Sequence, residues 1–313
     1  MSKWKILVSD KLPENGIRIL STAAEVEYKP SVSAEDLLDI ISDFDALVVR
    51  SRTRVTADVF AAASNLKVVG RAGVGVDNID LASAQSYNVT VVNTPSATTI
   101  AVAEHTLALM LGLIRSAPQA DAGMKSGRWL KKHLMGSELS GKVLGIIGVG
   151  HIGAAVAQRA AAFGVRVIGY DPNVSDDVMR RRGVEPAAPE ELYAQSDIIS
   201  LHVPLNPSTR NMIDGQALAQ MKRGVYLICT ARGGLIDETA LHFALVSGQA
   251  AGAALDVYAQ EPPGLTALVA HPHVIATPHI AAQTKEAQAR AAADVAEEVL
   301  AALRGESLRW KIV

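Results

Sequence analysis

The stretch VLGIIGVGHIGAAVAQRAAAFGVRVIGYDP, residues 143–172, limits the fold more than any other part of the chain. An apolar run, Val143–Ile147, leads into Gly148, Gly150 and Gly153, spaced G-x-G-x-x-G. An alanine-rich helical segment follows. A second apolar run, Val165–Tyr170, then closes on Asp171, 18 residues after Gly153. Strand, tight turn, helix and parallel strand satisfy this order. The first glycine allows the turn, the second lets a pyrophosphate approach the backbone, and the third lets the helix pack on the strand. The open N–H groups and dipole at the helix start attract phosphate. A carboxylate at Asp171 accepts from a ribose 2′-OH and repels a 2′-phosphate, so the pattern predicts NAD rather than NADP. The expected cofactor residues here are Gly148, Gly150, His151, Ile152, Gly153 and Asp171, with His151 on the loop surface. S-adenosylmethionine is the competing ligand, and the complete pyrophosphate fingerprint argues against it.

Similar apolar runs recur along the chain. Ile6–Val8, Ala46–Val49, Leu66–Val69 and Val89–Val92 form a first series, broken by helical patterns such as SAEDLLDIISDF, with Ser33 as its N-cap. After a connection near Leu139–Lys142, a second series comprises Val143–Ile147, Val165–Tyr170, Ile198–Leu201, Val225–Cys229, Ala253–Val257 and Val274–Ala276. The last helix is expected to stop at Gly305. The fold class is α/β, with two doubly wound parallel-sheet domains. A length of 313 residues suits two domains. A net charge of −2, with no basic tract, excludes a nucleic-acid footprint. One cysteine makes no internal disulfide, and MSKWKILVSD enters a strand-like run without a signal-peptide pattern, so a cytoplasmic location is expected. The apolar window Thr98–Arg115 contains Glu104 and His105 and reads as a buried or interface helix, not a membrane span.

In open parallel sheets, ligands bind beyond the carboxyl ends of the strands. The residues that follow the apolar runs are Arg50, Arg71 and Asn93 in the first series, and Asp171, His202, Arg232 and His279 in the second. Glu261 lies in the loop after Asp256. Each has a plain reading: a solvated arginine, a glutamate facing water, a satisfied core histidine. Together they match the oxidation of a secondary alcohol. His279 can take the hydroxyl proton. Glu261 can hold the other ring nitrogen, and Arg232 offers a planar fork to a carboxylate. Gly233 and Gly234 are expected to let cofactor and substrate approach the backbone. Asp256 reads as capping a strand, and His202 as lining the cofactor cleft or as structural. His271 and His273 read as loop surface rather than a metal pair, and Cys229 as core packing.

With the fingerprint, the stretches CTARGGLIDE, LDVYAQEPP and ATPHIAAQT resemble the D-isomer-specific 2-hydroxyacid dehydrogenases. VVRSRTRVT, VVGRAGVGVDNIDL, MKSGRW and GAALDVYAQEPP look most like the branch that oxidises 3-phosphoglycerate, in a short form without its C-terminal regulatory domain. The resemblance implies a Rossmann NAD-binding domain, residues 96–282, inserted in a flavodoxin-like substrate domain made of 1–95 and 283–313. It implies Arg232, Glu261 and His279 as the catalytic set, with Thr230, His202 and Asp256 also at the cofactor. Arg50 and Arg71 would bind a second anionic group, a phosphate, and Val74 and Gly75 would offer N–H groups to the substrate carboxylate. Asn78 would brace the Val74 loop. The partner is then a small anionic 2-hydroxy or 2-oxo acid, with no nucleic acid and no membrane. Other D-2-hydroxyacids, including sulfolactate, remain open, as do glyoxylate/hydroxypyruvate reduction and an NADH-sensing corepressor that does no chemistry. A homodimer or homotetramer is expected, because the helix after Asn93 would expose a large apolar patch in a single copy.

Overall fold

Near-continuous Val/Ile/Leu runs become strands covered on both faces, and this explains why they do not alternate in hydrophobicity. The computed structural model describes residues 3–313. Met1 and Ser2, on which the reading of the chain's start partly falls, lie outside the described residues. The chain divides into two compact units, one running up to Thr99 and resumed by Ala282–Val313, the other Ile100–Ala281.

The first unit holds β1 (Trp4–Val8), β2 (Ala24–Tyr28), β3 (Ala46–Val49), β4 (Val68–Arg71) and β5 (Thr90–Val92). They form one parallel sheet in the order β2-β1-β3-β4-β5, the flavodoxin-like arrangement. Successive side chains serve opposite cores. Ile6, Val8, Ala46, Val48, Val68 and Val92 pack on one side against Ala291, Ala292, Val295, Ala296 and Val299 of the helix Lys285–Arg304. Leu7, Leu47, Val49, Val69 and Val91 pack on the other, with Leu37, Ile41 and Phe60. The helix Lys285–Arg304 is capped by Thr284, which accepts from the Ala287 amide, and ends at Gly305 with φ +72°, as its sequence predicted. Ser33 caps the helix Ala34–Ile40 as expected. The edge of β5 is covered by the last residues: Ile312 N donates to Val91 O (2.8 Å), and Val91 N donates to Val313 O (3.2 Å). Strand β2, AEVEY, had not been foreseen, because it is an edge strand with charged, exposed positions.

The second unit holds β6 (Val143–Ile147), β7 (Arg166–Tyr170), β8 (Glu185–Pro186), β9 (Ile198–Leu201), β10 (Val225–Cys229), β11 (Ala250–Leu255) and β12 (Val274–Ala276). Their order is β12-β11-β10-β9-β6-β7-β8, all parallel. The order reverses between β6 and β9, the switch point at which doubly wound sheets bind dinucleotides.

The helix Thr99–Ile114 corrects one expectation. Ala103, Leu107, Met110, Leu113 and Ile114 are buried within a single copy, against Leu144, Ile146, Ile198 and Ala254. The helix therefore does not expose the large patch from which an oligomer was argued. Of its large apolar side chains only Ile100 is exposed, and further exposed ones follow at Met124, Trp129 and Met135. Among the described residues, no single helix is long and apolar enough to cross a membrane.

Candidate active site

The glycine turn after β6 is shaped by its own backbone. Gly148 has φ +93°, and a Cβ there would meet the His202 carbonyl oxygen at 2.6 Å. A Cβ on Gly153 would lie 2.0 Å from the Gly148 carbonyl oxygen, so the helix His151–Ala161 sits against the turn. At Gly150, by contrast, a Cβ would meet nothing within 4 Å. The first and third glycines are thus required by protein packing, while the second faces open space at the start of an 11-residue helix. This fits a bound pyrophosphate. His151 is exposed at the first turn of that helix, and Ile152 is half-buried. Asp171 closes β7, and its carboxylate accepts from Val149 N (2.8 Å) and Asn173 N (2.9 Å), which ties it to the glycine turn. Arg182, which sequence reading missed, donates to the Val149 carbonyl and secures the same turn.

His202 follows β9. Its Nε2 pairs with Ser200 Oγ at 2.9 Å, and burial pushes the imidazole down to about 4, so it is neutral near pH 7. Thr230 is buried and bonded to Thr106 Oγ1 at 2.9 Å. Because Thr106 Oγ1 donates to Val102 O, the Thr230 hydroxyl is the donor between the two. Cys229 is buried, its thiol raised to about 11 by that burial, and it packs as expected.

His279 and Glu261, 18 residues apart in sequence, meet: His279 Nδ1 lies 2.7 Å from Glu261 Oε2. The other carboxylate oxygen accepts from Tyr258 N (3.1 Å), so the glutamate is fixed by its own loop. A carboxylate accepts from Nδ1–H, which leaves Nε2 as the basic nitrogen. His279 itself has φ +53°, the left-handed region that non-glycine residues seldom occupy. Arg232 stands just beyond β10, half-buried, with Nη1 donating to Ala231 O (2.6 Å). A Cβ on Gly233 would lie 1.7 Å from the Tyr258 carbonyl oxygen, so this glycine is required by the packing of the Arg232 turn on the Glu261 loop. Glu238 adds to that joint by accepting from Ala259 N (2.6 Å).

Asp256, at the end of β11, is fully buried. It accepts from Thr277 Oγ1 (2.6 Å), Ile280 N (2.9 Å) and Ala281 N (2.8 Å), with His105 Nε2 at 3.6 Å. Burial pushes this carboxyl up. The nearby His105 ring and the hydrogen bonds from Thr277 and the two amides outweigh it and hold the group below the usual carboxylate range. Both oxygens are therefore spent on the loop that carries His279. Thr277 was not recognised from sequence, although it stands two residues before His279. His105 drew notice only as a polar residue in an apolar helix.

In the first unit, Arg50 and Arg71 do stand at the ends of β3 and β4. Arg50 Nη1 donates to Lys11 O (3.0 Å), and its amide donates to Asp10 Oδ2 (2.5 Å). Buried Asp10 also accepts from Thr53 Oγ1 (2.8 Å) and pairs with Arg52 Nε (3.1 Å), an anchor that sequence reading missed. The guanidinium of Arg71 lies against the backbone of Gly73. Val74 and Gly75 are half-buried, and Asn93 Nδ2 steadies their loop by donating to Val74 O (2.6 Å). Asn78, expected to brace that loop, ties it to the turn after β3 by donating to Arg50 O (2.9 Å) and Thr53 O (2.7 Å). His271 and His273 are neighbours, with ring centroids 5.6 Å apart, and no metal-holding group of three or more His, Cys, Asp or Glu residues is present among the described residues.

Comparison with known proteins agrees with this arrangement. Residues 107–281 match the family model for the D-isomer specific 2-hydroxyacid dehydrogenase, NAD binding domain. The chain is 50% identical over 303 residues to a D-3-phosphoglycerate dehydrogenase of Methanocaldococcus jannaschii, covering 96% of this chain and 58% of that protein. It is 48% identical over 304 residues to a D-3-phosphoglycerate dehydrogenase of Bacillus subtilis, covering 96% and 57%. The chain thus spans little more than half the length of these relatives. A glyoxylate reductase from Paecilomyes thermophila superposes with a TM-score of 0.92 at 32% identity, covering 100% of this chain and 99% of that one. The chain belongs to the D-isomer specific 2-hydroxyacid dehydrogenase family, and its second unit carries that family's NAD-binding domain.

Proposed function

We propose that this protein oxidises 3-phospho-D-glycerate to 3-phosphohydroxypyruvate with NAD. The observation that carries the reading is the 2.7 Å bond between His279 and Glu261, set at the carboxyl ends of strands that also bear a dinucleotide turn. Gly148, Gly150, His151, Ile152, Gly153 and Asp171 would hold the cofactor, with His202 and Thr230 beside it, and bound NAD would supply the hydride acceptor for the carbinol carbon. His279 Nε2 takes the hydroxyl proton, and Glu261 stabilises the imidazolium that forms. In the reverse direction the same nitrogen returns the proton to the carbonyl oxygen. Arg232 holds the substrate carboxylate and polarises the carbonyl beside it. Within the first unit, the amides of Val74 and Gly75 are assigned to a carboxylate, and Arg50 and Arg71 to a phosphate. The similarity to two D-3-phosphoglycerate dehydrogenases supports that substrate.

The likeness to a glyoxylate reductase along nearly the whole of both chains favours a second reading, reduction of a small unphosphorylated 2-oxo acid. Exposed Met124, Trp129 and Met135 support association of two or four copies. The assignment of His279 is tested with His279→Asn. Turnover should fall by about 10²–10⁴-fold while NADH binding stays within about twofold. Near-normal turnover in that variant overturns the assignment. Binding of NADH without turnover of any 2-hydroxy acid by the unaltered protein favours a sensor over an enzyme.

A further inference from the structure

We propose that His105 and Thr277 are positioning residues for His279, acting through the buried carboxylate of Asp256. The inference rests on the reading of His279 as the proton-transfer residue. The starting point is backbone strain. A non-glycine residue at φ +53° is disfavoured and persists only where its surroundings over-determine it. Glu261 grips the ring of His279, but the backbone needs its own restraint.

That restraint is Asp256. The two amides that follow His279, those of Ile280 and Ala281, both donate to its carboxylate. The residue two places before His279 does the same through its hydroxyl, Thr277 Oγ1, at 2.6 Å. The turn is therefore held from both sides by one buried acid. A fully buried carboxylate needs such donors, because an unpaired one is strongly disfavoured.

His105 completes the set from the helix Thr99–Ile114. Its Nε2 is 3.3 Å from Thr277 Oγ1 and 3.6 Å from the Asp256 carboxylate. The threonine proton points to Asp256, so its oxygen accepts, and His105 supplies an N–H from Nε2. The chain of donors runs His105 to Thr277 to Asp256. None of the three needs to touch substrate. Their effect falls on the orientation of His279, hence on kcat, and leaves the Arg232 and glycine-turn contacts that set binding.

The test pairs an apolar with a conservative replacement at each position, in the full chain. Thr277→Val removes the hydroxyl at constant shape, and Thr277→Ser keeps it. His105→Leu removes the donor, and His105→Gln keeps an N–H. With NAD and 3-phospho-D-glycerate, Thr277→Val and His105→Leu should lower kcat about tenfold with KM within about twofold, and the Ser and Gln variants should recover most of it. Independently of turnover, amide hydrogen exchange at Ile280 and Ala281 should quicken about tenfold in the apolar variants only. Unchanged exchange, an unchanged kcat, or a loss shared equally by conservative and apolar variants overturns the inference. His279→Asn run alongside separates the two levels. If it keeps normal turnover, the reading of His279 fails. If it is inactive while Thr277→Val behaves as wild type, only the positioning network fails.

Discussion

Arg232 is held where its fork can act: the strand before it is buried, its own turn packs on the Glu261 loop through Gly233, and Nη1 is anchored on a carbonyl. In the proposed mechanism, truncating it removes a charge-assisted clamp and leaves the glycine turn after β6 in place. Arg232→Ala should lower kcat/KM by about a hundredfold or more, with the NADH dissociation constant within about twofold. Parallel kinetics and NADH fluorescence titration check this, and a matching loss of NADH affinity contradicts it. His202 makes a different prediction. Its folded-state value near 4 lies below the ordinary 6.5, so the unfolded chain takes up a proton that the folded one refuses. Its contribution to stability is complete above pH 6.5 and declines as pH falls from 6.5 toward 4. Denaturant unfolding across that window should show a slope with pH that His202→Asn flattens. An unchanged slope contradicts the assignment of a neutral imidazole at His202.

At the level of elements, the strand–turn–helix around Gly148–Gly153 was the most legible part of the chain, because the three glycines sit in one short run between two apolar strands. A Cβ at position 153 meets backbone, which cannot yield as a side chain can. Gly153→Ala should therefore cost about 3 kcal/mol or more of stability and abolish NADH binding, as read by chemical denaturation and NADH titration. Wild-type stability would contradict the packing. Strands β3, β6, β9, β10 and β12 follow the apolar runs residue for residue, because burial on both faces leaves a plain signal. Strands β2 and β8 were hidden because each lies at a sheet edge, where charge and proline are tolerated. The pairing of His279 with Glu261 was legible as chemistry, since a base needs an orienting carboxylate. Asp256 was harder to read. A buried acid's donors are backbone amides 24 and 25 residues away, and nothing local in LDVYAQEPP announces them. The contact of His105 with Thr277 spans 172 residues and carries no sequence signal at all.

At the level of the whole molecule, two parallel sheets follow the two familiar doubly wound orders, and the dinucleotide turn, Glu261 and His279 all belong to the second. Composition marked the helix Thr99–Ile114 as apolar but could not say what covers it; its own unit does, through Leu144, Ile146, Ile198 and Ala254. Sequence placed Arg50 and Arg71 at strand ends, and the proposed phosphate site rests on them. The most direct measurement is therefore the ratio of kcat/KM for 3-phospho-D-glycerate to that for D-glycerate, in NAD-linked oxidation by the full chain. Two arginines meeting a phosphate predict a ratio of about 10²–10⁴. A ratio near one contradicts the phosphate site, and no oxidation of either acid contradicts the dehydrogenase reading itself.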